Sequence, residues 1–431
     1  MTTLPAIAIL ICSMLGCIIL GLNLVYGLLV GMVVFIAAAL HEGYSIKDIL
    51  RMMFSGIKEA FIVIGVLLLI GSLTGIWRGC GTVQLLVVYG TELIHPRFFI
   101  LFAFLLPMAI SYLIGTSFGT AGTIGVVLMA LCSLSGANPL LTGGAIMSGI
   151  YFGDRASPAS SCANLVAFLT HTDLYTNVRL MLKDCIPAAL ITILLYGIIS
   201  FMNPLQQVDT GILDQMRADY NLSLLLLIPA LIVLAAPLFK INIRIVLACS
   251  ILSAAILAVT VQGMSVIEVI RTMLFGYEAK GDLAPVLSGG GVFSMAHSLF
   301  IILISATFSG IFNGTNMLEP LQELLERFAR KHSLYLMTVI SGLPMIMFSC
   351  NQTLALMLQV PLIKPIYEKK GFSKEQLMLD LSNTTVVLSG LVPWCLASSL
   401  PRQVLGVSAG CLPLAFFTYL LTLVGWIRSR K

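Results

Sequence analysis

An all-α polytopic membrane protein is the fold this sequence predicts, built as two inverted repeats of about five transmembrane helices plus a re-entrant hairpin each, with helices broken at the midplane. Three observations predict it. The composition is 58% hydrophobic and 10% charged, with mean hydropathy +1.02, whereas a soluble domain carries about a quarter charged residues. Apolar runs of the ~20 residues that cross a bilayer recur along the 431 positions. The second half of the chain repeats the pattern of the first.

The runs are Leu4–Leu22, Leu24–Leu40, Ala60–Trp77, Ile186–Met202, Leu222–Phe239, Ile245–Val261, Phe293–Phe312 and Val404–Trp426. Their length suits helices and not the short strands of a barrel. The first lacks a cleavage-site pattern and a second follows at once, so it is expected to be a retained helix and not a removed signal peptide. Ten cysteines, mostly inside apolar runs, lack ligand spacing and read as small buried hydrophobes. Net charge +5 says little about acidic partners, because Lys and Arg placement in such a chain is mainly a topology signal. The lipid bilayer is an expected partner and nucleic acid is not.

The duplication emerges from four matches in order. "SIKDILRMMFSG" (Ser45–Gly56) overlays "SVIEVIRTMLFG" (Ser265–Gly276) at an offset of 220, and the run before it overlays at the same offset. After an insertion near Glu278–Gly290 the offset becomes 235, where "LTGIWRGCGTVQLL" (Leu73–Leu86) overlays "FSGIFNGTNMLEPL" (Phe308–Leu321). "GDRASPASSCANL" (Gly153–Leu165) overlays "LSGLVPWCLASSL" (Leu388–Leu400), aligning Pro158 with Pro393. The division this gives is 1–202 as first repeat, 203–221 as extracytoplasmic linker and 222–431 as second, inverted repeat. Ile46–Phe54 and Val266–Phe275 read as amphipathic segments lying on the membrane surface.

Charge placement bears on orientation. If Phe98–Leu134 and Leu334–Ile366 are re-entrant hairpins, 17 of the 24 Lys and Arg fall in connections on the side of the termini and 6 on the other, with Arg155 inside the membrane. That bias puts both termini in the cytoplasm of a cell (inner) membrane protein. Full crossings in place of the hairpins would shrink the asymmetry.

Irregular backbone at membrane depth survives only where protein or a watery cavity satisfies it. Four such places stand out: the tips "GTSFGTAGTIG" (Gly115–Gly125) and "SCNQT" (Ser349–Thr353), and the breaks Gly153–Ser161 and Ser382–Trp394. Broken helices of this kind form ion and substrate sites in inverted-repeat transporters. Asp154 and Arg155, at about 2.5–3.5 kcal/mol each on insertion scales, are candidates for binding an ion or proton together with Ser157, Thr116 and Ser117. Asp154 would carry the cation or proton and Arg155 would neutralise it or meet an anionic substrate; a structural ion pair is the other reading. Thr120, Thr123, Ser160, Ser161, Asn164, Asn351, Gln352, Thr353, Asn383, Thr384 and Ser389 supply hydroxyls and amides for a substrate, with small-residue packing as the alternative at the tips. His171 and Asp173 fit a helix cap or loop anchor better than a proton relay. Phosphate-loop, HExxH, GxSxG and paired CxxC motifs are absent. No enzyme activity is expected, and an ion gradient is left as the energy source.

"GTSFGTAGTIGVVLMAL" (Gly115–Leu131), "GAIMSGIYFGDRASPASSCANL" (Gly144–Leu165), "TDLYTNVRLML" (Thr172–Leu182) and "LVPWC" (Leu391–Cys395) resemble the NhaC-type sodium/proton antiporter family, within an ion-transporter superfamily that also holds sodium-coupled dicarboxylate carriers. The resemblance spans nearly the whole chain. It implies exchange of Na⁺ for H⁺, or of an organic acid or amino acid coupled to them, by alternating access. Thr116, Ser117, Thr120, Asp154, Ser157, Pro158 and Asn164 match the family's pattern. Ser161, Cys162 and Ala163 stand where the family usually has an acid followed by hydroxyls, and Cys395 where it usually has Asn; this weakens the case for tight Na⁺ binding. Two other readings stay open, a proton-coupled amino-acid or carboxylate carrier without sodium dependence and an ion channel. No cofactor is expected beyond a bound Na⁺, the partner is an ion or small molecule, and a homodimer follows from the superfamily alone.

Overall fold

A helix closes its backbone hydrogen bonds within itself, as a lipid surrounding requires. The computed structural model describes residues 3–93, 95–204, 210–235, 239, 241–279, 281–315, 325, 327–329 and 331–429. Among these there is no β-strand, only an isolated bridge between Tyr277 and Gly289. The chain is an all-α, multi-pass membrane protein. Four helical stretches are long and apolar enough to cross a membrane, Pro96–Ile114, Ser117–Leu134, Leu174–Met202 and Ile243–Thr260, or up to six if each of two bent pairs counts as one span.

The backbone repeats at an offset of 235 positions. Helix Phe99–Ile114 recurs as Leu334–Ser349, each ended by a left-handed residue, Gly115 (φ 74°) and Cys350 (φ 54°). Thr116 and Asn351 follow as extended N-caps, φ/ψ −146°/130° and −143°/125°. The next helices start at Ser117 and Gln352, making two helix–turn–helix hairpins. Helices starting at Pro139 and Lys374 lead into the two breaks, and Ser161–Thr170 recurs as Leu396–Leu405, with left-handed caps His171 (φ 54°) and Gly406 (φ 69°). Asp173 caps Leu174–Met202 by accepting from the Thr176 amide at 2.8 Å, which holds its carboxyl below the ordinary range.

Two runs differ from the sequence expectation. Ile46–Gly79 is one 34-residue helix that fuses the amphipathic segment with the span after it, since nothing between Phe54 and Ala60 breaks a helix. Its counterpart is split into Val266–Phe275 and Ala296–Gly314 because the insertion carries positive-φ glycines at 276 and 289–291. Val404–Trp426 is likewise not a single span. Gly406 ends one helix, a 3₁₀ turn Ala409–Leu414 follows, and Phe416–Arg428 begins anew. The expected linker holds a helix, Thr210–Asp219, while 205–209 lie outside the described residues.

Packing sorts the elements into two groups. Thr3–Ile19, Leu24–His41 and Ile46–Gly79 pack with Ile243–Thr260, Val266–Phe275 and Ala296–Gly314; both hairpins, both broken helices, Leu174–Met202 and Phe416–Arg428 form the other group. The groups meet where Ile46–Gly79 passes the Ala121–Gly125 turn and where Ala296–Gly314 passes Leu396–Leu405. Close crossings need missing side chains. A Cβ at Gly153 would lie 1.9 Å from the Ser111 carbonyl carbon, where Phe99–Ile114 crosses Pro139–Ala156.

Gly153→Ala should therefore lower the melting temperature of the purified protein, because the obstructing atom is backbone. Gly197→Ala, where a Cβ meets nothing within 4 Å, should leave it equal or higher by the helix-propensity gain of at most about 1 kcal/mol. Parallel thermal denaturation in detergent checks the pair.

Candidate functional site

The first break is made by two serines with different tasks. Pro139–Ala156 ends when Ser157 turns extended, ψ 139°. The Ser157 hydroxyl accepts the Ala159 amide at 3.1 Å. Ser160 then joins the two half-helices, donating to the Asp154 carbonyl at 2.5 Å and accepting the Cys162 and Ala163 amides at 3.1 Å each as the N-cap of the next helix. The hairpin tip seats on this joint: a Cβ at Gly115 would lie 2.5 Å from Ala159 and 2.6 Å from the Ser160 amide. In the second repeat Cys395 occupies the N-cap and its side chain caps nothing. There the tip supplies the acceptor, with the Leu396 amide donating to the Cys350 carbonyl at 2.8 Å.

Asp154, 6% exposed, lies in the last turn before the first break. Its Oδ2 accepts from Gln352 Nε2 at 3.2 Å, and Gln352 also donates to the Val386 carbonyl at 2.8 Å. The carboxylate is thus held by Gln352 from the tip of the second hairpin. No Lys, Arg or His forms an ion pair with it among the described residues. It faces a cavity of about 210 Å³ that is also lined by Thr116, Ser117, Ser161, Asn351, Gln352 and Thr353. Ser161 and Thr353 are exposed at its edge.

Arg155 points elsewhere, which corrects the expectation that it neutralises Asp154. Its Nε and Nη2 donate to Asn383 Oδ1 at 3.0 and 2.5 Å, and Nη1 donates to the Met181 carbonyl at 3.1 Å. The ion partner is Asp184 at 3.6 Å, which also pairs with Arg428 and accepts from Asn383 Nδ2 at 2.7 Å. Consecutive helix residues are about 100° apart around the axis, so the charged neighbours face different walls. Arg155 fastens the first break to the second repeat.

Several other sequence candidates turn their polar groups inward on their own backbone. Thr120 and Thr123 donate to the Thr116 and Gly119 carbonyls at 2.8 Å, Thr384 to Asp380 and Ser389 to Val386 at 2.6 Å, and Asn164 to Ser160 at 2.7 Å. None of these five lines the Asp154 cavity. Asp184 is the functional neighbour that sequence reasoning missed. Asp184 was hidden in the sequence because it follows Arg179 and Lys183 in the polar first half of Leu174–Met202. Among the described residues no group of three or more His, Cys, Asp or Glu is set to hold a metal. A cation here would rest on Asp154 and neutral oxygens.

Paired broken helices closed by paired hairpin tips around a buried carboxylate define a secondary transporter. Comparison with known proteins supplies the family: the Na⁺/H⁺ antiporter family model matches residues 1–149 and 149–427, and the chain belongs to that family as a divergent NhaC-type member. It is 30% identical over 374 residues to the malate-2H⁺/Na⁺-lactate antiporter of Bacillus subtilis, covering 85% of this chain and 80% of the relative. The Na⁺/H⁺ antiporter NhaC of the same organism is 29% identical, with 92% and 90% covered. The arginine/ornithine antiporter ArcD of Halobacterium salinarum is 25% identical, with 91% and 83% covered. The chain is a secondary antiporter with ions or small molecules as substrates.

Removing the acceptor that holds Arg155 should be costly while removing the Asp154 charge should not. Asn383→Ala deprives a buried guanidinium of two hydrogen bonds and should destabilise by about 3 kcal/mol, whereas Asp154→Asn replaces an unpaired buried charge and should leave stability equal or higher. Chemical denaturation in micelles separates the two, and equal losses would contradict this division of labour.

Proposed function

We propose that the protein is a multi-pass antiporter of the cell membrane, working by alternating access, in which Asp154 carries Na⁺ or H⁺ in exchange for a second ion, a small organic acid or an amino acid. The carrying observation is a buried carboxylate with only neutral donors, facing a cavity at a helix break. Such a group needs a proton or a cation to be neutral at that depth. One carboxylate cannot hold both at once, so H⁺ and Na⁺ compete for it. Competition combined with access to one side at a time amounts to exchange. Thr116, Ser117, Ser161, Asn351, Gln352 and Thr353 contribute the neutral oxygens around it, and about 210 Å³ is room for several waters at ~30 Å³ each, enough for a hydrated ion or a small organic acid.

The two units, 1–202 and 222–431, are taken as inverted copies, with both termini cytoplasmic, the hairpins re-entrant and two chains forming a homodimer. Matched caps and breaks support the duplication, and the charge bias supports the orientation. A second reading is favoured by the residues after the break: Ser161, Cys162 and Ala163 bring no second carboxylate to the cavity, which suits a proton-coupled carrier of carboxylates or amino acids without sodium dependence. Relatives named for malate and lactate, and for arginine and ornithine, accord with such substrates.

Reconstituted protein should exchange under an imposed Na⁺ or pH gradient, with saturation and counterflow, and Asp154→Asn should abolish it. Unchanged ion dependence and turnover in Asp154→Asn would sink the assignment. Exchange driven by pH alone and indifferent to Na⁺ would select the second reading.

A further inference from the structure

We propose that Asp380 is a second proton-binding carboxylate, reached through a cavity separate from that of Asp154 and linked to Asp154 by the π-helical turn Ser382–Val386. A polar cavity of about 580 Å³ is lined by Asp184, His332, Tyr335, Lys370, Gln376, Asp380, Asn383 and Arg428, among others. Asp184 is already engaged by Arg155 and Arg428. Asp380, 3% exposed, forms no ion pair among the described residues. Its two oxygens meet neutral donors only, Gln376 Nε2 at 2.7 Å and Tyr367 Oη at 2.6 Å.

The hydrogen-bond inventory points to a proton on it. Tyr367 Oη contacts Thr338 Oγ1 at 2.8 Å, and Thr338 Oγ1 contacts the Leu334 carbonyl at 2.9 Å. This series of three contacts runs from a carboxylate to a carbonyl through two hydroxyls. Each hydroxyl supplies one hydrogen, so an ionised Asp380 leaves one contact without a proton. Protonated Asp380 donates to Tyr367, Tyr367 to Thr338 and Thr338 to Leu334, and all three are satisfied. Loss of the proton reverses the first donor and unmakes one link.

The groups that face Asp380 fit this role. Tyr367 approaches from Gln352–Lys369, Tyr335 from Leu334–Ser349, Asp184 from Leu174–Met202 and Arg428 from Phe416–Arg428, with His332 and Lys370 at the cavity edge. Asp184 brings a like charge to the same cavity, and Arg428 and Lys370 bring the cations that line it. The turn that starts two residues after Asp380 ends at Val386, whose carbonyl holds Gln352, the residue that also holds Asp154. π-Helical insertions gather at functional sites, and this one spans the distance between two carboxylates on two cavities.

The inference adds a proton to the antiport cycle proposed above and rests on that reading only for its role in transport. Infrared titration of the purified protein reads protonation directly. The wild type should show carboxyl C=O absorption that disappears as pH rises, part of which is lost in Asp380→Asn and returns at a shifted position in Asp380→Glu. Tyr367→Phe, a milder change, should move the midpoint of the same component. A folded Asp380→Asn with the wild-type titration, or a folded Tyr367→Phe with an unmoved one, overturns the proposal. In proteoliposomes, protons moved per turnover should fall in Asp380→Asn, and an unchanged ratio also overturns it. Wild-type exchange that moves no protons while the infrared component persists would instead count against the antiport reading.

Discussion

A single carboxylate held at depth without a cation beside it is the constraint around which the structure is arranged. Asp154 can sit there because Gln352, at the tip of the second hairpin, brings it a neutral donor, and residues of both tips line the cavity it faces. Each tip is fixed in turn by its own break, through the seat of Gly115 on Ser160 and the bond from Leu396 to Cys350. The helix breaks, the left-handed caps and the close crossings are what place these residues. A charge that is only partly satisfied by fixed dipoles has a standing affinity for a proton or a cation, which is the property an antiporter uses.

Two carboxylates and two cavities give the molecule a polar axis within the hairpin group. Arg155 lies on neither cavity's binding face. Its bonds to Asn383, Met181 and Asp184 tie the first break to the second repeat and to Leu174–Met202, and Asp184 in turn pairs with Arg428 of the C-terminal helix. Breaking such a buried arrangement by removing one partner costs several kcal/mol.

Much of this was legible in the residues. The offset of 235 placed both tips and both breaks, because caps and turns depend on local chemistry: Gly115 takes a positive φ, Thr116 and Asn351 cap, and Pro158 and Pro393 interrupt. Spans cut by glycines were read less well. Gly406 looked like one small residue in an apolar run, and only its backbone shows that it ends a helix. The pairing of Asp154 with Arg155 was misread because adjacency in sequence is separation around a helix. Gln352, almost two hundred positions away from Asp154, was recognised as a site residue, but its partner could not be read from spacing. Thr120, Thr123 and Thr384 carry the right groups yet spend them on their own helices.

Proton release on cation binding tests the central claim most directly. Na⁺ added to purified protein in weak buffer should displace protons from the wild type and none from Asp154→Asn, since the two compete for the same oxygens. Equal release from Asp154→Asn and wild type would contradict the account.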